Sequence, residues 1–166
     1  MSELADILER FRRGPELVAV ATTGAAGPEL DFQPGEGKWS VRQIVCHLAD
    51  FEMIAAMRFR QMLAEENPTL PSADQDEWAA KLDYGRRKVS QALETFRRVR
   101  TDNYELMKDL PEEAFERTGI HSKRGVIALR DMLRIMAEHP EKHVGQIQRT
   151  RAAFKENKAK QAASQP

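Results

Sequence analysis

"WSVRQIVCHLADFEMIAAMRFRQMLAE", residues 39–65, opens with a helix start and continues as one apolar stripe. Ser40 can accept a hydrogen bond from the Gln43 amide while the Gln43 side chain returns one to the backbone, which is a capping box. From there Ile44, Leu48, Phe51, Ala55, Phe59 and Met62 recur at spacings of three and four. That is the period of a helix with one buried face, running to about Glu65. His47 falls on the same face, three residues after Ile44 and four before Phe51.

The helical period holds along the rest of the chain, and no segment alternates apolar and polar residues long enough to make a convincing strand. The expected class is all-α. A first helical region spans Ser2 to Ala21, interrupted at Gly14-Pro15, and "TTGAAGPELDFQPGEGK" supplies glycines and prolines for the loop that follows. After the helix at 41–65, "ENPTLPSADQDEWAAKLDYG" is too long and too broken by proline for a tight helical hairpin. It carries the chain along the bundle to its other end, so helices two and three run parallel. The third helix covers roughly Arg86 to Leu110, with Val89, Leu93, Phe96, Val99 or Arg100, and Leu106 inward. A connector with one short turn at "PEEAF" leads to helix four, about Ile127 to Phe154. Its inward stripe is Leu129, Met132, Leu133, Met136, His139, His143, Ile147 and Phe154. Residues 1–156 form one domain, and 157–166 read as a disordered tail.

Lysine plus arginine and aspartate plus glutamate are both 26, so the net charge is zero and no basic stripe suggests a phosphate backbone as partner. No stretch approaches the roughly 20 apolar residues of a membrane span. The start "MSELADILERFRRG" has no apolar core after a basic head, so the expected location is the cytoplasm. The single cysteine, Cys46, fits a reducing compartment. With nucleic acid and membrane set aside, the expected partners are a small-molecule substrate and a second copy of the chain in a homodimer.

"HPEKHVGQI", residues 139–147, sets two imidazoles one turn apart on the face of helix four that should be greasy. Four residues advance a helix by about 400°, which leaves His139 and His143 about 40° apart and about 6 Å along the axis. His47 points inward from helix two. Three neutral imidazoles converging in a bundle suit a divalent metal with an open coordination position. The plainer alternative is three separate core histidines, each hydrogen-bonded to a carbonyl or a carboxylate, because HxxxH spacing alone is weakly specific.

"KWSVRQIVCHLADFE" and, far downstream, "HPEKHVGQI" resemble the DinB/YfiT-like family of four-helix-bundle metalloproteins. The crossover with "DEWAAKLDYG", the helix with "ALETFRRVR" and "LPEEAFERTGIHSKRGVIALRDML" also fall where that family has counterparts. The resemblance implies an up-down-down-up bundle and a metal, zinc or nickel, held by His47, His139 and His143. The family's last pair usually reads H-D-x-H-H or H-E-x-H-H, whereas Pro140 and Lys142 stand here in place of the acid and the extra histidine. Pro140 removes a backbone donor and should bend helix four.

Asp50, three residues after His47, is the best carboxylate for a base or a supporting role, against the alternative of an aspartate paired with Arg42 or Arg58. Cys46 lies about 100° round the helix from His47 and reads as a small buried side chain. His121 sits in a connector as a weak candidate for a fourth ligand, Trp39 and Trp78 read as packing, and Gly145 reads as a point of close helix approach. The resemblance further implies thiol-dependent transferases and isomerases alongside hydrolases. Three functions stay open: an S-transferase type that activates a low-molecular-weight thiol, a hydrolase that activates water with Asp50 as base, and a bundle that binds metal or ligand without turnover.

Overall fold

The structure, a computed structural model, describes residues 2–164. Four long helices form the bundle: α1 (Glu3–Thr22), α3 (Val41–Ala64), α5 (Val89–Met107) and α6 (Leu129–Ala163). Two short helices, α2 (Pro28–Asp31) and α4 (Gln75–Lys81), lie in the connections. The capping box at α3 is formed as its sequence requires, with Ser40 accepting from the Gln43 amide and the Gln43 side chain accepting from the Ser40 amide.

Rungs between helices fix their directions. Glu3 pairs with Arg134, Arg10 with Glu141, and Arg151 donates to the Ala21 carbonyl, so α1 and α6 run parallel. Glu52 pairs with Arg100 and Arg60 donates to Asn103, so α3 and α5 also run parallel. Ile44 shares an apolar cluster with Ile147, and Met62 shares one with Leu129, so α3 opposes α6. The order is up-down-down-up, with the long crossover between α3 and α5.

The core divides along the bundle axis. One cluster holds Phe11, Phe59, Met62, Met107, Phe115 and Leu133, and the other holds Val18, Val41, Ile44, Leu48, Phe96 and Ile147. Between them lies a polar layer to which every long helix contributes: Gly14 and Pro15, His47 to Glu52, Arg100 and Asn103, and His139 to His143. Arg100, 1% exposed, is its hub. Each proline deprives the carbonyl four residues back of its helical donor, which leaves Phe11 and Met136 short. Arg100 serves both, donating from Nη1 to the Phe11 carbonyl at 2.8 Å and from Nη2 to the Met136 carbonyl at 3.0 Å. Its charge is matched by Glu52 at 2.7 Å, whose other oxygen accepts from Asn103 at 3.0 Å. The guanidinium also stacks 3.9 Å above the Phe11 ring.

Several expectations need correction. Gly14-Pro15 does not interrupt the first helix, because Arg100 replaces the missing donor and α1 continues to Thr22. The close-approach glycine is Gly14, not Gly145: a Cβ on Gly14 would stand 2.8 Å from Pro140 Cγ, whereas one on Gly145 meets only Arg149 of its own helix. The third helix starts at Val89, since 84–86 form a separate 3-10 turn. At its far end Leu106 is 38% exposed and Met107 takes the buried place. The connector before α6 contains a β-hairpin, β1 (Thr118–His121) antiparallel to β2 (Gly125–Ala128), with Thr118 opposite Ala128. Four-residue strands are too short to show alternation, and Gly125 at φ 69° makes the turn. The expected tail is helical as far as Ala163, and the last two residues, 165–166, lie outside the described residues.

Candidate metal centre

His47 leaves the buried face of α3, and His139 and His143 leave α6 one turn apart, on either side of Pro140. The three rings meet. His47 Nε2 lies 2.9 Å from His139 Nε2, and His143 Nε2 lies 3.2 Å from it. One nitrogen from each ring falls within 4.8 Å of the others, and this is the one His/Cys/Asp/Glu group of metal-binding geometry among the described residues. Nitrogens bound to zinc at 2.0–2.1 Å on tetrahedral corners stand about 3.3 Å apart, close to the two spacings around His139. Hydrogen bonding accounts for one of the two contacts but not for both together. His143 Nδ1 faces the Gln146 carbonyl oxygen at 2.8 Å, which assigns the proton to Nδ1 and leaves a lone pair on Nε2. His139 Nε2 has at most one proton to share between two neighbouring rings, so a lone pair remains unanswered where a cation fits.

The surroundings keep the rings neutral. His47 is fully buried, and burial, followed by the nearby His143, pushes its pKa down to about 3. Burial also lowers His139 and His143, with the contact to Gln146 partly opposing the shift of His143. Trp39 stacks parallel to His143 with centroids 6.3 Å apart and tilts over His47 at 4.9 Å. Phe51 packs on His47 at 4.5 Å, and Trp78 meets the edge of Phe51. These aromatic rings wall the centre and hold the imidazoles in place.

Asp50 is buried nearby on α3, but its oxygens are engaged elsewhere: Oδ2 accepts from the Tyr84 hydroxyl at 2.8 Å and Oδ1 from Arg87 at 2.6 Å. Among the described residues no hydrogen bond links it to the three histidines. Its partner is neither Arg42, which pairs with Asp31, nor Arg58. Cys46 is buried with its thiol pushed up to about 11 by desolvation, which makes it a packing residue. His121 stays outside the three-ring cluster, its Nδ1 accepting from the Lys123 amide.

Two hollows reach the centre. A cavity of about 590 Å³ runs from His139 and Met136 past Phe51 to Arg58 and the hairpin turn, and a smaller one of about 230 Å³ opens at His143 beside Trp39 and Gln146. Gln75 and Asp76 at the start of α4 border both. Sequence reasoning missed Gln146, although its i+3 spacing from His143 was a usable signal. It also missed Tyr84 and Arg87, for which a connector offers no periodicity.

Known proteins resemble this chain in sequence and fold. The chain is 31% identical over 133 residues to a protein of Oceanobacillus iheyensis whose name marks it as a candidate metal-dependent hydrolase, a match covering 80% of this chain and 77% of that one. It is 29% identical over 120 residues to YfiT of Bacillus subtilis, similarly named, covering 72% and 67%. The solved YfiT structure, described as an unusual four-helix bundle topology, superposes with a TM-score of 0.86 at 24% identity over 93% of this chain and 90% of that one. A mycothiol-dependent maleylpyruvate isomerase shares the fold with a TM-score of 0.70 at 13% identity, covering 88% of this chain and 61% of the isomerase. The family model of the DinB superfamily matches residues 10–147, which spans the polar layer and all three histidines, and the chain belongs to that superfamily.

Proposed function

We propose that His47, His139 and His143 hold a divalent metal, zinc or nickel, and that the protein is a metal-dependent enzyme whose nucleophile is a low-molecular-weight thiol. The observation that carries this reading is the donor set: three neutral imidazole nitrogens, with Asp50 turned away to Tyr84 and Arg87. A metal held by neutral ligands keeps its full charge and, when bound, supplies the Lewis acidity that favours a thiolate over a thiol. The protein's share is positional. Gln146 fixes the His143 tautomer, Trp39 and Phe51 keep the rings aligned and exclude water, and the larger cavity admits the reactants beside His139. The thiolate electron pair forms the new carbon–sulfur bond, and the leaving group departs with the pair from the bond that breaks. The mycothiol-dependent isomerase of the same fold supports thiol chemistry on such a bundle by analogy of architecture.

Hydrolysis is the second reading, favoured by the names of the relatives and by Asp76, an exposed carboxylate bordering both hollows. Asp50 enters either reading as the group that fixes Tyr84 and Arg87 against α3, and Asp50→Asn is expected to retain metal while losing thermal stability. The test is a titration of cobalt-substituted protein with small thiols. An intense sulfur-to-cobalt band with at least one thiol supports the transferase reading. No band with any thiol, together with metal-dependent cleavage of esters or amides, puts hydrolysis first.

A further inference from the structure

Arg58 is 8% exposed on α3, yet among the described residues it forms no ion pair. Its Nε donates to the Pro71 carbonyl at 2.8 Å, and its side chain lines the cavity that opens at His139. A guanidinium this deep without a carboxylate is costly, because its charge is desolvated and unanswered. The same cavity wall carries more positive charge: Lys123 and Arg124 from the hairpin turn, with His121 beside them. Burial lowers the Arg58 pKa, and burial first, then the charges of Arg58, Arg124 and Lys123, depress His121, so these groups lie near one another. The acids on the wall do not answer them. Asp74 caps α4 through Oδ1, accepting from the amides of Asp76 and Glu77, and among the described residues neither Asp74 nor Asp76 forms an ion pair with Arg58, Lys123 or Arg124. We infer that this end of the cavity, centred on Arg58, is a subsite for the carboxylate of a molecule whose other end reaches the three-histidine centre.

The inference rests on the metal reading for what happens at the His139 end, and it adds the ligand's shape. Phe51 lies 6.3 Å from His139 between ring centroids, and Arg58 lies two turns further along α3, about 10 Å in rise. The ligand is therefore an extended anion with its reactive group at one end and its carboxylate at the other. That carboxylate can belong to the thiol or to the electrophile it attacks.

The experiment compares 6-mercaptohexanoate with 6-mercaptohexanol, which differ in the terminal charge, on cobalt-loaded protein. Calorimetry reads affinity, and the sulfur-to-cobalt band independently reads contact with the metal, so failure of one reading is separable from failure of the other. Wild type should bind the carboxylate at least about tenfold more tightly, the worth of one charge-assisted pair. Arg58→Lys should keep most of that preference and Arg58→Met should abolish it with metal content unchanged. If Arg58→Met fails to fold, Lys123→Ala/Arg124→Ala on the exposed turn should reduce the preference about threefold. Hexanoate added to protein saturated with mercaptoethanol identifies the source. Binding without loss of the band assigns the carboxylate to the electrophile, and displacement assigns it to the thiol. Equal affinity for the two chains in wild type, or a preference that survives Arg58→Met, overturns the subsite whether or not a band forms.

Discussion

His143 depends on a neighbour three residues away. The Gln146 oxygen, 2.8 Å from His143 Nδ1, holds the proton on that nitrogen and so presents Nε2 to the centre. Gln146→Leu is therefore expected to weaken metal affinity roughly 10- to 100-fold without unfolding the chain, measured by competition with a chromogenic chelator. The buried imidazoles also set a pH dependence. Below about 6.5 the unfolded chain takes up protons on these histidines, while folded His47 resists until about 3. The unfolded state binds more protons across that window, so stability is fully present above 6.5 and is lost as pH falls towards 3. Denaturant unfolding of metal-free protein at pH 7 and pH 5 should show a lower midpoint at pH 5, and His47→Phe should flatten the difference. Much of this scale was legible in the sequence: an apolar stripe that stops for a histidine at positions 47, 139 and 143 marks those rings as buried whatever they bind. The partners of Asp50 were not, because Tyr84 and Arg87 reach it from a connector whose path no local pattern fixes.

Helix α6 keeps its course through Pro140 because another helix supplies the missing donor. Arg100→Met would leave the Phe11 and Met136 carbonyls unpaired and the Glu52 charge buried alone, a loss of about 3–5 kcal/mol expected in urea unfolding. Gly14 and Pro140 are coupled by contact. Gly14→Ala should cost about 1–3 kcal/mol through overpacking against Pro140 Cγ and Arg100 Nη1, and in Pro140→Ala, which removes one of these two obstructions, the same change should cost less. Equal costs in both backgrounds would mean that the Arg100 guanidinium, not the proline ring, sets the cost. A single sequence reads Pro15 as a break and Pro140 as a bend, because the compensation comes from Arg100, remote in the chain and itself one of two candidates for an inward place. The hairpin escaped notice for the opposite reason: its strands end before alternation can register.

That helices two and three run parallel followed from connector length, since 66–85 is long enough to return the chain to the other end of the bundle, while the order of all four was implied by the family resemblance. The level at which the histidines meet did not follow. α6 continues well past Phe154, so its end is no reference for depth, and the rungs between helices set the register instead. The turns of α6 beyond Glu156 are exposed, with Asn157 and Lys160 only bordering an open hollow beside Phe32 and Pro34, and a chain ending there should melt within a degree or two of the full one. What the whole molecule does centrally is bring one face of α3 and one of α6 together at the polar layer so that three ring nitrogens stand within 4.8 Å of one another, the donor set proposed to hold a single ion. Metal content per chain, measured by mass spectrometry after zinc loading and gel filtration, tests that most directly. The account predicts one equivalent in wild type and almost none in His47→Ala, His139→Ala and His143→Ala, each still folded by circular dichroism. Stoichiometric zinc retained by any of the three variants, or a wild type that holds none, would contradict it.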